Sequence, residues 1–129
     1  MSVTEQCYVV DIGQPAPWLT ANQRLHWRPR AARTKTWREA AAWRARQAKM
    51  PRIDRARVVG ELRFAQRRRR DPANWAPTAK ACVDGLVDAG VFDDDDATRV
   101  DGPDMRIRSG GGGGDGLALL IYPKTGTGS

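Results

Sequence analysis

Hydrophobic and polar positions divide the chain into short segments, four of which have strand character. Residues 8–12 (YVVDI) predict a first strand, which is interrupted by the Gly- and Pro-containing stretch that follows. Residues 58–64 (VVGELRF) alternate as a strand does, and residues 105–108 (MRIR), together with Val100, predict another. The continuous apolar run at residues 117–122 (LALLIY) is typical of a buried strand.

Two further segments predict helices. The Ala-rich residues 37–49 follow Thr36 and Glu39, which form a capping-box pattern, and Pro51 would end this helix. Residues 78–89 carry an apolar stripe at helical spacing, and their charged residues fall on a different face. This second helix therefore presents polar side chains to solvent or to a ligand.

The order of these elements predicts an α+β fold with one mixed β-sheet and two main helices packed on it. We expect a single domain over residues 1–129, ordered over about residues 7–123. A flexible glycine loop is expected at residues 109–116 and a frayed tail at residues 124–129.

Charge is strongly segregated along the sequence. The 129 residues include 22 Lys and Arg and 15 Asp and Glu, for a net charge of +7. Residues 24–70 alone carry a net charge of +14, and residues 71–104 carry −7. The basic half favours a polyanionic partner, and the acidic block then needs a neutralising group such as a divalent cation. A basic surface beside a solvated acidic loop explains the composition equally well.

Several classes of protein are disfavoured by the sequence. It contains no apolar run near the ~18–20 residues that a membrane span needs. Its first residues also lack the pattern of a secretory signal peptide. Cys7 and Cys82 lie far apart and match no metal or redox spacing, so we expect reduced thiols. We therefore expect a cytoplasmic protein with no membrane partner.

The candidate chemistry lies in residues 67–96. Asp71 follows four consecutive arginines at a strand exit, Lys80 and Asp84 share a helix face, and four aspartates occupy residues 93–96. Packing of strand, helix and loop would bring these groups together. Mg²⁺ prefers oxygen ligands and a few carboxylates, with substrate phosphate completing its shell. Each feature alone is more typical of a solvated loop, a surface patch or an ion pair, and only their order in one segment favours a site.

This segment resembles the RusA-type Holliday junction resolvases, which occur in phages and prophages. The matching motifs are RRDPAN at residues 69–74, KACVDGL at residues 80–86 and AGVFDDDD at residues 89–96. A softer likeness is PWLTANQRLHW at residues 17–27, and the whole resemblance covers roughly residues 8–122.

The resemblance implies a homodimeric, Mg²⁺-dependent endodeoxyribonuclease that resolves four-way DNA junctions by paired nicks in recombination and repair. Mn²⁺ is the expected substitute for Mg²⁺. By position, Asp71, Lys80 and Asp95 resemble the catalytic residues, with a slip to Asp94 or Asp96 left open. The expected metal ligands are Asp71, Asp84, Asp94 and Asp95. Residues expected to contact DNA are Asn22, Arg24, Arg28, Lys35, Arg38, Arg67, Arg68, Arg69, Arg70 and Asn74.

One departure from the family pattern concerns the metal site. The family's second aspartate after the arginine run is Ala73 here, and three extra residues separate Asn74 from Lys80. We expect a working variant, because the other acids and the lysine are in place. The alternatives are a catalytically silent basic DNA-binding protein of the same fold and a small RNA-binding protein with a solvated acidic loop.

The sequence leaves open which of the five tryptophans pack within the protein and which are free to contact DNA bases. Trp37 and Trp43, at helical positions, favour core or subunit contacts. Trp18, Trp27 and Trp75 are expected in loops, where they are either packed or free to stack on unpaired bases.

Overall fold

The computed structural model describes residues 6–108 and 113–124. Part of the predicted glycine loop and residues 125–129 of the predicted tail lie outside these described residues. The elements in chain order are β1 (Tyr8–Gly13), α1 (Trp27–Gln47), β2 (Ala56–Arg63), a 3₁₀ turn (Pro72–Trp75), α2 (Ala76–Asp88), β3 (Val100–Ile107) and β4 (Gly116–Pro123).

The strands form one mixed sheet in the order β1-β4-β2-β3. β4 pairs antiparallel with both β1 and β2, whereas β2 and β3 are parallel. The predicted α+β fold with one mixed sheet and two helices is confirmed. β4 lies inside the sheet, with Leu117, Leu119 and Ile121 fully buried, which explains its unbroken apolar sequence.

β3 is longer than its sequence pattern indicates, because the strand continues through Gly102 and Pro103. Proline lacks the N–H that an inner strand needs, but β3 is an edge strand bonded only to β2. Met105 and Ile107 are half-buried against the core. The edge position therefore reconciles the proline with strand geometry.

The prediction for the start of α1 was wrong. The helix begins at Trp27, ten residues before the predicted start, and His26 caps it by accepting a hydrogen bond from the Arg28 backbone N–H. Thr36 lies inside the helix, and its hydroxyl donates to the carbonyl of Ala32, so it caps nothing. Pro29 is tolerated because first-turn N–H groups have no partner inside a helix.

The two helices approach each other closely at Gly85 of α2. A Cβ atom at this position would lie 2.2 Å from the carbonyl oxygen of Arg38 and 3.0 Å from the Cβ of Ala41. The missing side chain therefore permits the contact. Beside it, the Arg38 guanidinium donates to both carboxylate oxygens of Asp88, at 2.6 and 2.8 Å.

A buried threonine fixes the segment between β1 and α1 onto α2. The hydroxyl of Thr78 donates to the carbonyl of Leu19 at 2.7 Å and accepts from its N–H at 3.0 Å. Both residues are almost fully buried. This pair holds the following residues, including Asn22, next to the 3₁₀ turn.

Candidate active site

Lys80, Asp84 and Asp95 form what we call the lysine–aspartate cluster. The Lys80 Nζ atom lies 3.1 Å from Asp84 Oδ1 and also donates to Asp95 Oδ2. Side-chain exposure is 54% for Lys80 but only 29% and 28% for the two aspartates. The cluster is thus a partly enclosed cation–dicarboxylate group that remains open to solvent on the lysine side.

Local structure explains why these three residues meet. Lys80 and Asp84 are four residues apart on α2, which places their side chains on one face. Gly90, with φ of 83°, turns the chain after the helix, and Phe92 is buried in the core. The loop that follows then carries Asp95 back to Lys80. The helical spacing of Lys80 and Asp84 and the burial of Phe92 together explain why Asp95, of the four consecutive aspartates, contacts Lys80.

The pKa values within the cluster move in different directions. Desolvation, reinforced by a hydrogen bond with Asp95, raises the pKa of Asp84 above its ordinary value. Hydrogen bonds from Lys80 and Asp84 lower the pKa of Asp95 to about 2. Burial opposes the charge on Lys80, but its hydrogen bonds to the two aspartates outweigh burial and raise its pKa. At neutral pH the cluster therefore holds a charged lysine against an ionised Asp95.

This arrangement predicts a specific acid dependence of stability. Because folding lowers the pKa of Asp95 from 3.8 to about 2, its contribution is present above about pH 4 and is lost as the pH falls toward 2. We expect the free energy of unfolding in urea to fall less steeply over this interval for Asp95→Asn than for the wild-type protein. Parallel curves for the two proteins would show that the contact contributes nothing.

Asp71 lies in a neighbouring cleft rather than in the lysine–aspartate cluster. It caps the 3₁₀ turn by accepting a hydrogen bond from the Ala73 N–H at 3.1 Å. An open cleft of about 570 Å³ surrounds it. We call this the arginine cleft; its lining residues are Ala21, Asn22, Arg68, Arg69, Arg70, Asp71, Ala73, Asn74 and Trp75.

The arginine cleft borders the N-terminal end of α2, the half of the helix that also carries Lys80. The 3₁₀ turn that begins after Asp71 runs directly into this helix, and Lys80 is the fifth residue of the helix. At 1.5 Å per residue, Lys80 lies about 6 Å along the axis from the first helical residue. The lysine of the cluster therefore lies near the end of α2 that follows the cleft.

Two predicted DNA-binding asparagines build a wall of this cleft. The Asn74 side-chain oxygen accepts from the Asn22 N–H at 3.2 Å, and the Asn74 carbonyl accepts from the Ala21 N–H at 2.8 Å. The Asn74 N–H in turn donates to the Asp71 carbonyl at 3.0 Å. The structure thus gives Asn22 and Asn74 a positioning role for the loop that faces Asp71.

The predicted metal ligands are only partly brought together. Within residues 6–108 and 113–124, no group of three or more His, Cys, Asp or Glu side chains is arranged to hold a metal ion. Asp84 and Asp95 are neighbours, whereas Asp94 is exposed and accepts a hydrogen bond from the Asp95 N–H. Mg²⁺ commonly uses one or two protein carboxylates plus substrate phosphate, so Asp84 and Asp95 fit it by donor type and number.

The predicted DNA-contacting cations fall into three groups. Arg38 is held by Asp88, and Lys35 lies 3.8 Å from Glu39, so part of their charge is already neutralised. Arg70 stacks over the Phe64 ring at 3.9 Å, which orients it beside the cleft. The remaining predicted cations are exposed: Arg24, Arg28, Arg67, Arg68 and Arg69.

The tryptophans also divide by environment. Trp18 stacks on the buried Trp37 at 5.2 Å, and Trp75 packs edge-on against Phe64 at 5.3 Å. Trp27 is the first residue of α1, not a loop residue, and is 66% exposed. Sequence reasoning did not place Trp75 in the wall of the arginine cleft, although its position directly after Asn74 was a usable signal.

Among the described residues, no helix has both the length and the apolar character needed to cross a bilayer. No protein-family model matches the chain, and no curated protein matches its sequence.

Proposed function

We propose that this protein is a Mg²⁺-dependent endodeoxyribonuclease that cuts four-way DNA junctions by paired nicks, acting as a homodimer. The observation that carries the proposal is the contact of Lys80 with both Asp84 and Asp95. A lysine held against two carboxylates, beside a cleft lined by arginines, is a group suited to phosphodiester chemistry. The resemblance to RusA-type resolvases supports the choice of branched DNA.

The roles of the residues follow from their positions. Arg68 and Arg69 contact phosphates that flank the scissile bond, because their exposed guanidiniums border the cleft. Lys80 offsets negative charge that develops on the reacting phosphate. Asp71, fixed at the start of the 3₁₀ turn, approaches the same phosphate from the cleft side.

Asp84 and Asp95 are the residues that would hold Mg²⁺, and Asp71 would act from the neighbouring arginine cleft. When bound, the ion supplies Lewis-acid activation of water and of the scissile phosphate. Lys80 contacts both aspartates, so it must shift toward the substrate for a cation to enter. A phosphate in the adjacent cleft offers this lysine an alternative anionic partner.

A catalytically silent DNA-binding protein of the same fold is the second candidate. It is favoured by Ala73, which leaves no carboxylate two residues after Asp71, and by the lack of a three-carboxylate group within the described residues. The arginine cleft serves both candidates equally.

The test is incubation of the purified protein with a labelled mobile four-way junction, in Mg²⁺, in Mn²⁺ and in EDTA. A linear duplex of matched sequence is the control substrate. The nuclease proposal predicts nicks in the junction alone, and only with a divalent cation. Tight junction binding without cleavage in either cation would overturn it and establish the silent binder.

A further inference from the structure

Trp27 is exposed although large aromatic side chains usually pack. Its side chain is 66% exposed at the start of α1, and its one aromatic contact in the described residues is the exposed His26 ring at 5.9 Å, whereas Trp18 and Trp75 pack against Trp37 and Phe64. The Arg28 guanidinium lies 5.3 Å from the Trp27 ring centroid. Of the three tryptophans considered for base stacking, Trp27 is therefore the one left available.

A shallow groove runs along α1 from this ring. It is an open depression of about 530 Å³ on one face of α1, and its lining residues are Trp27, Arg30, Ala31, Thr34, Lys35 and Arg38. These positions recur at helical spacing on one face of the helix. The groove thus combines a flat aromatic surface and small side chains with cationic groups.

The charge of this face decides which partner fits. Three of the residues lining the groove are basic (Arg30, Lys35 and Arg38) and none is acidic. Arg38 is paired with Asp88 and Lys35 lies 3.8 Å from Glu39, so Arg30 carries most of the free positive charge of this face. A second copy of the same face would bring like charges together across a twofold interface, which is unfavourable. An unpaired nucleotide fits both the exposed aromatic ring and the basic side chains, because its base can stack on the ring and its phosphates can pair with the cations.

We propose that the Trp27 groove is a stacking subsite for an unpaired DNA base, with Arg30 and Lys35 contacting the adjoining phosphates. The proposal rests on the proposed function in taking that base from the branch point of junction DNA. Asn22 of the arginine cleft precedes Trp27 by five residues, which span at most about 18 Å of chain. A strand a few nucleotides long therefore reaches from the groove to the cleft.

The experiment uses a four-way junction with 2-aminopurine at the branch point, in EDTA so that no cleavage occurs. Trp27→Ala is compared with wild type and with Trp43→Ala. Trp43 is a matched control, because it is 55% exposed on the same helix and also has an arginine, Arg44, 5.3 Å from its ring. Trp43 does not line the groove.

We expect Trp27→Ala to weaken junction binding by about 5- to 150-fold and to raise 2-aminopurine fluorescence in the complex, because stacking is lost. Trp27→Phe should retain most of both signals, and Trp43→Ala should match wild type. Unchanged binding and fluorescence in Trp27→Ala would overturn the subsite. Dissociation of a dimer by Trp27→Ala, measured by sedimentation, would also overturn it and assign the groove to a second copy.

The two proposals fail in different ways. If Trp27→Ala behaves as wild type while the wild-type protein still nicks junctions in Mg²⁺, only the stacking subsite is lost. If the fluorescence change depends on Trp27 and no cleavage occurs with any cation, the subsite stands and the nuclease proposal is lost.

Discussion

Replacing Asp95 by asparagine is expected to lower the rate of junction cleavage by about 10²- to 10³-fold while leaving junction binding intact. Asparagine keeps the shape of the side chain and can still accept a hydrogen bond from Lys80, but it carries no charge. Asp95 is the most acidic member of the cluster, with its pKa lowered to about 2 by hydrogen bonds from Lys80 and Asp84. Its loss therefore removes a carboxylate that is ionised at neutral pH.

The measurement is single-turnover cleavage with saturating protein, accompanied by a binding titration in EDTA. Asp93→Asn is the matched control, because Asp93 belongs to the same acidic run but pairs with Arg52 outside the cluster. DNA binding by Asp95→Asn should equal or exceed that of wild type, since repulsion from phosphate falls. Equal losses of cleavage in both variants would contradict a specific role for Asp95.

Replacing Trp37 by alanine is expected to destabilise the fold by about 3–5 kcal/mol. Trp37 is completely buried, and its indole N–H donates to the carbonyl of Pro17 at 3.0 Å. Truncation leaves a cavity between α1 and the segment that precedes it and removes the stacking partner of Trp18. Small domains are stable by only about 5–15 kcal/mol, so this loss is a large share.

Urea unfolding followed by circular dichroism measures this loss. Trp43→Ala serves as the control, because the same substitution at an exposed position on the same helix removes little buried surface. We expect the midpoint for Trp37→Ala to fall well below that for Trp43→Ala. Similar midpoints for the two variants would contradict the placement of Trp37 in the core.

Elements with a strong local signal were predictable from the sequence. The apolar stripe of α2 and the apolar run at residues 117–122 predicted these elements correctly, because the apolar side chains of both segments are buried in the same core. The start of α1 was missed because Pro29 and the nearby arginines read as irregular chain. Proline is harmless in a first helical turn, and only the position of His26 as cap shows where that turn begins.

The candidate site was predictable to different degrees. The contact of Lys80 with Asp84 follows from their spacing of four residues on a helix. The contact with Asp95 depends on tertiary structure. Burial of Phe92 in the core fixes the position of the following four aspartates, and so determines which of them faces Lys80. The separate cleft around Asp71 could not be read from spacing, because it is formed by the loop carrying Asn22, far away in sequence.

We propose that the lysine–aspartate cluster acts as one catalytic centre. A double-mutant cycle on junction cleavage tests this most directly, using Lys80→Met, Asp95→Asn and the double variant. Residues that act as a unit show strongly non-additive losses, so we predict that the double variant is about as slow as the slower single variant. Losses that multiply, or single variants that cleave as wild type does, would contradict a shared catalytic role of Lys80 and Asp95.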